Sequence, residues 1–216
     1  MDLNKIIKQI PHKNILYIEI NNFFVNNYDI LVNLFCNKKD LIRINKYIFE
    51  VDKQRHLASI ILQKYITKEF TELSTSQLKY SDLIIYRNKY NKPFIFDKLI
   101  NYNISHDNSL VVANYDLKME VGIDIMSKDK EKIAKEIKIL KHKTEEDIND
   151  LVLWTLLESY YKLNGNEMSY LNDREFYVKK DNNEYQIYKT NNELKENIII
   201  DSFNFMNYII STCKRS

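Results

Sequence analysis

The chain has 216 residues, a length that suits one large domain or two small ones, and its 44% hydrophobic content is ample for a core. Lys and Arg total 32 against 30 Asp and Glu, a net charge of +2, which excludes binding of polyanions by bulk charge and leaves room only for local basic patches. Cys36 and Cys213 are too few for a disulfide scaffold or a four-ligand zinc site; no apolar run approaches the ~20 residues of a membrane span, charges break up the first eight residues, and the expectation is a soluble, cytoplasmic protein with no membrane partner.

In chain order, residues 15–24 are rich in β-branched and aromatic side chains and read as a strand. Residues 29–35 and 39–48 carry short helical patterns. Asp52 is placed to cap a firmer helix in which Leu57, Ile60, Ile61 and Tyr65 form an apolar stripe. Residues 83–86 read as a strand, and residues 91–96 as extended, because Pro93 biases the residue before it away from helix. Residues 110–115 and 120–126 read as an antiparallel pair joined by a tight turn. A charged helix is expected over 129–140, and the longest helix over 145–164, stopped by Gly165 in the left-handed conformation. Strands are expected at 175–178, 184–188, 198–205 and 208–212. A mixed unit with one principal helix thus occurs twice, near 1–100 and 101–216, with no sequence repeat and no low-complexity linker. The expected fold class is α+β: two similar lobes related by pseudo-two-fold symmetry, each a small antiparallel sheet with a principal helix.

Gly122 and Gly165 are the only glycines, so each answers a backbone need that a side chain would obstruct. On a strand through Val121–Met126, Val121, Ile123 and Ile125 point one way, and Gly122, Asp124 and Met126 the other. Asp124 then projects either into a cleft, with Gly122 admitting a close approach beside it, or simply into solvent. On the long helix Trp154, Glu158 and Lys162 share a stripe, with Tyr161 beside it. A Glu–Lys pair at this spacing is often only a surface brace worth ~0.2–0.5 kcal/mol, whereas a lone Trp on the same stripe marks a packed or binding face. Ser105 and His106 follow a short extended run; they suit phosphate oxygens, or a capped turn. His12, His56 and His142 show no metal-ligand spacing.

Together, Asn103-Ile-Ser-His106, Val121-Gly-Ile-Asp124 and Trp154-x-x-x-Glu-Ser-Tyr-x-Lys162 resemble, in order and spacing, the motifs of the surfactin-type 4'-phosphopantetheinyl transferases. Asn91-Lys92-Pro93 matches that family's Lys-Pro element, and Arg55 sits in a helix like the one opening its N-terminal half. The resemblance implies transfer of the phosphopantetheine arm of coenzyme A to a serine of an apo acyl or peptidyl carrier protein. It implies Mg²⁺ held by Asp124 and Glu158, with Glu158 also accepting the serine proton and Lys162 neutralising charge on the pyrophosphate. By the same matching, Arg55, Lys92, Pro93, Ser105, His106 and Lys162 hold the coenzyme. The N-terminal lobe would thus carry the nucleotide contacts and the C-terminal lobe the metal and catalytic residues, in a chain whose size resembles the monomeric branch.

Three departures stand out. Met126 occupies a position where many members have Glu, and a thioether is a poor ligand for Mg²⁺; an extra water is expected there. Leu157 replaces a common Lys. Asp107-Asn108 replaces a small pair, but Asn tolerates the left-handed region, so the turn is expected to persist. Met126 and Leu157 also favour an alternative, a non-catalytic homologue that binds coenzyme A or a carrier protein. A nucleic-acid module is the third reading: 16 tyrosines among lysines could stack on bases, but the near-neutral charge balance lacks the basic footprint such modules show.

Overall fold

The structure is a computed structural model that describes residues 1–71, 77–89, 92–95, 100–129, 144, 148–165, 176–181, 184–189 and 198–215. Backbone contacts divide it into two units, Met1–Leu117 and Lys118–Ser216, each combining a sheet with helices. The expected helix over 129–140 falls almost wholly outside the described residues.

The first unit begins with the hairpin β1 (Ile7–Gln9) and β2 (Ile15–Glu19). The strand stops at Glu19 rather than at residue 24, because the Asn21 side chain accepts the Phe24 N–H and starts α1 (Asn22–Asn26). Helices α2 (Tyr28–Phe35) and α3 (Lys38–Ile44) follow; α3 opens on a capping box between Asn37 and Asp40 and ends four residues short of the expected boundary. Helix α4 (Glu50–Glu69) packs on the sheet with Leu57, Ile60, Ile61, Leu62 and Ile66 in the core. Its N-cap is Phe49, not Asp52; Asp52 lies in the first turn, where its carboxylate takes Arg55 Nη1 at 3.1 Å. From Leu57 to Thr67 most of α4 is buried, so its polar side chains turn inward on its own backbone: Ser59 donates to Arg55 O, Gln63 to Ser59 O and Thr67 to Gln63 O.

Strands β3 (Ile85–Arg87) and β4 (Pro93–Ile95) form a separate hairpin. Next come β5 (Asn101–Asp107) and β6 (Leu110–Asp116), joined by a turn in which Asn108 takes φ 46°, the left-handed conformation expected there. The four-stranded antiparallel sheet runs β1-β2-β6-β5. Strand β6 is central, buried along almost its whole length. It therefore pairs with β2 and β5 and not, as the sequence suggests, with the strand that follows it. That pairing puts residues 101–116 in the first unit, whereas the sequence reading groups them with the second half.

In the second unit β7 (Glu120–Ser127) precedes α5 (Asp150–Asn164), then β8 (Phe176–Asp181), β9 (Glu184–Lys189), β10 (Ile198–Phe205) and β11 (Tyr208–Arg215). The sheet is antiparallel in the order β7-β11-β10-β9-β8, and β7 is held by eight register pairs to β11. Helix α5 starts where the Asn149 side chain accepts the N–H groups of Leu151 and Val152, five residues after the expected start, and Gly165 ends it at φ 72°. Leu151, Leu153, Leu156, Leu157, Tyr160 and Leu163 bury against Val178, Ile187, Ile200 and Cys213. Each unit thus has its own antiparallel sheet and principal helix, the α+β plan expected from sequence.

Candidate active site: an acid pair and a lysine

Strand β7 and helix α5 approach so closely that nothing larger than hydrogen fits between them at Gly122. A Cβ there would stand 2.0 Å from Ser159 O and 2.8 Å from Leu163 N. The close approach that the glycine serves is therefore made by α5 itself. Period-two alternation then turns Asp124 toward the same helix. Its side chain is buried, and Lys162 Nζ donates to its Oδ1 at 2.6 Å. Val121, Ile123 and Ile125 on the opposite face are buried as well, so neither face of β7 is simply open to solvent.

Glu158 lies one turn before Lys162 on α5. Burial, and next the charge of Asp124, push its carboxyl up from 4.5 to about 7; Lys162 pulls the other way. Two carboxylates repelling each other in a partly dry site, with an ammonium already against one of them, make a site that attracts cations. Oxygen donors of this kind fit a hard divalent ion such as Mg²⁺, which takes few protein ligands and keeps its waters. Among the described residues no group of three His, Cys, Asp or Glu side chains is gathered, so any ion here relies on solvent or substrate for the rest of its shell. Met126 is half-buried and packs on the core, and Leu157 is fully buried within it. Both departures from the family pattern are thus packing residues. Trp154, on the same stripe as Glu158, also packs partly against that core.

The other candidates belong to the first unit. Ser105 and His106 are neighbours on β5 and so face opposite sides of the sheet. Ser105 is buried on the side away from α4, opposite Val112. His106 is exposed on the α4 side, opposite Val111. Arg55 is committed to structure: its Nε donates to Asn108 O at 2.8 Å and its Nη1 to Asp52, tying α4 to the turn just after His106. Lys92 and Pro93 lie at the start of β4, with the Lys92 backbone bonded in both directions to Asn88. Asn91 of that motif is outside the described residues.

Sequence reasoning passed over His56, which the structure puts in polar company. Its Nε2 is buried without a hydrogen-bond partner among the described residues, as is the Tyr102 hydroxyl. Burial, then the charges of Arg87 and Arg43, push the imidazole down from 6.5 to about 4, and His106 acts in the same direction. Arg43 itself is anchored by donating to Ile85 O at 3.1 Å. Two arginines and two histidines from four different elements thus share one neighbourhood. Only their tertiary approach makes them a group, because no motif spacing links residues 43, 56, 87 and 106.

Comparison with known proteins bears on the first unit. Residues 26–116 fit the model of the family described as 4'-phosphopantetheinyl transferase, N-terminal. The matched stretch is under half of the chain and lies wholly in the first unit, from the end of α1 to the end of β6. It relates that unit to the phosphopantetheinyl transferases without specifying the surfactin-type subfamily. No curated protein matches the chain. Among the described residues no helix is long and apolar enough to cross a membrane.

Proposed function

We propose that this chain is a Mg²⁺-dependent 4'-phosphopantetheinyl transferase acting on an apo acyl or peptidyl carrier protein, with coenzyme A as co-substrate. The family match of residues 26–116 supports the class. The observation that carries the reading is the cluster of Asp124, Glu158 and Lys162, which joins two mutually repelling carboxylates to an ammonium.

In the reaction the carrier serine Oγ attacks the phosphorus attached to the pantetheine arm. The new Oγ–P bond forms as the bridging P–O bond breaks, and adenosine 3',5'-bisphosphate leaves. The work is mostly positioning and charge stabilisation. Asp124 and Glu158 would hold Mg²⁺, which supplies positive charge against the pyrophosphate oxygens. Glu158 takes the serine proton, directly or through a water. Lys162 shifts from Asp124 toward the charge that builds on the leaving phosphate. In the first unit His106, Ser105 and Lys92 remain the proposed coenzyme contacts, and Arg43, Arg87 and His56 join them. Arg55 acts by holding the turn that carries His106.

The test is to incubate the protein with coenzyme A, Mg²⁺ and apo carrier proteins of fatty-acid, polyketide and peptide synthesis, and to weigh the carriers. A mass gain of one phosphopantetheine, lost when Mg²⁺ is chelated, supports the proposal. Absence of any gain with folded protein, together with retained coenzyme A binding, would leave the non-catalytic alternative that Met126 and Leu157 favour.

A further inference from the structure

Asp124, Ser211 and Ser202 are successive register partners across β7, β11 and β10, so they form one row across the sheet. Directly opposed residues of antiparallel strands share a face, and for Asp124 that face lies under α5. Ser211 is fully buried there. Its hydroxyl donates to Ser202 Oγ at 2.9 Å and shares a 2.7 Å bond with Thr155 Oγ1, three residues before Glu158 on α5. In the bond between α5 and β11 either hydroxyl can donate. Thr155 is also fully buried, and its hydroxyl donates to the carbonyls of Leu151 and Val152 at 3.0 and 3.1 Å.

These hydroxyls stand beside a core of Leu153, Leu156 and Cys213, where apolar side chains would otherwise fill the space. Apolar packing is non-directional and keeps heavy atoms about 3.5–4.0 Å apart. A hydroxyl–hydroxyl bond draws helix and strand closer and holds them at one angle. Ser211 is one strand from Asp124, and Thr155 is one turn from Glu158. Their bond therefore spans the same helix–sheet layer that carries Asp124 on β7 and Glu158 on α5, and a site needs its groups held to within about 0.5 Å. We propose that the Thr155–Ser211–Ser202 hydroxyl chain is a positioning element. It sets α5 against the sheet so that Asp124 and Glu158 can grip one divalent ion. This rests on reading those two carboxylates as ion ligands.

The experiment titrates the full chain with Mg²⁺, without coenzyme or carrier, following the melting temperature, and repeats it with Mn²⁺ followed by electron paramagnetic resonance. Wild type is compared with Ser211→Ala, Thr155→Val, Thr155→Ser and, as a core control on β8, Val178→Ala. Loss of an outer-layer support is expected to weaken ion binding about 10-fold in Ser211→Ala and Thr155→Val. Thr155→Ser, which keeps the hydroxyl, should bind like wild type, and so should Val178→Ala despite its lower melting temperature. Wild-type affinity in Ser211→Ala, equal loss in Thr155→Ser and Thr155→Val, or equal loss in Val178→Ala would each overturn the positioning role alone. No ion binding by wild type would overturn the ligand assignment and the positioning role with it.

Discussion

Glycine at position 122 is a packing requirement, since a methyl group there would meet the backbone of α5 at 2.0 Å. Backbone cannot swing aside as a flexible side chain does, so Gly122→Ala must push helix and strand apart. The expected result is a destabilisation of about 1–3 kcal/mol in urea unfolding, accompanied by weaker Mg²⁺ binding because Asp124 lies two residues away. Asp124→Ala and Glu158→Ala are expected to keep the fold and to lower carrier modification by on the order of 10²-fold or more. Near-normal transfer in either variant would refute the metal assignment. Lys162→Ala should also lower the transfer rate; an unchanged rate would reduce Lys162 to a structural counter-charge for Asp124.

Within α4, Lys64 is fully buried, with Nζ donating to Asp40 Oδ2 at 2.5 Å and to Phe35 O at 2.8 Å. The same Asp40 oxygen accepts the Asn37 N–H and so closes the capping box of α3. One ammonium thus ties α4 to the end of α2 and the start of α3 inside an apolar core. Removing one partner of a buried pair leaves a dry charge, so Lys64→Met is expected to cost about 3–5 kcal/mol of stability. Lys64→Met combined with Asp40→Asn should recover much of that loss, because an amide oxygen still accepts from Asn37 while the stranded charge is gone. Equal instability of the single and double variants by chemical denaturation would show that the carbonyl of Phe35, not the charge, dominates.

Across the molecule, the two units answer pH with opposite signs. Glu158 in the second unit is raised to about 7, so the folded state holds its proton more tightly than the unfolded chain does. That stability is fully present below the ordinary value of 4.5 and is lost as pH rises through about 7. His56 in the first unit is depressed to about 4, so its contribution is present above the ordinary 6.5 and is lost as pH falls through about 4. Melting curves from pH 5 to 8 should show Glu158→Gln gaining on wild type as pH rises, and His56→Gln gaining as pH falls. Parallel curves for either variant would contradict the burial assigned to that group. If Asp124 and Glu158 hold Mg²⁺ as proposed, the ion must displace the Glu158 proton, so its stabilising effect should be larger at pH 8 than at pH 6.

Residue order alone carried the element types, because apolar periodicity and caps act over a few positions. The helix of Leu57, Ile60 and Ile61, the Gly165 stop and the left-handed Asn108 could all be read that way. Sheet partners could not: β6 and β7 are adjacent in sequence and both strand-like, yet each completes a different sheet. Pairing depends on which strand is buried on both faces, and that emerges only when distant segments meet. The same limit governs the candidate site. The spacing of Glu158 and Lys162 is local and legible, but only packing brings Asp124 to Lys162, gathers Arg43, Arg87 and His56, and turns Ser105 away from His106. A strand's alternation and a helix's turn are written into neighbouring residues, whereas the meeting of strand with helix is a matter of space.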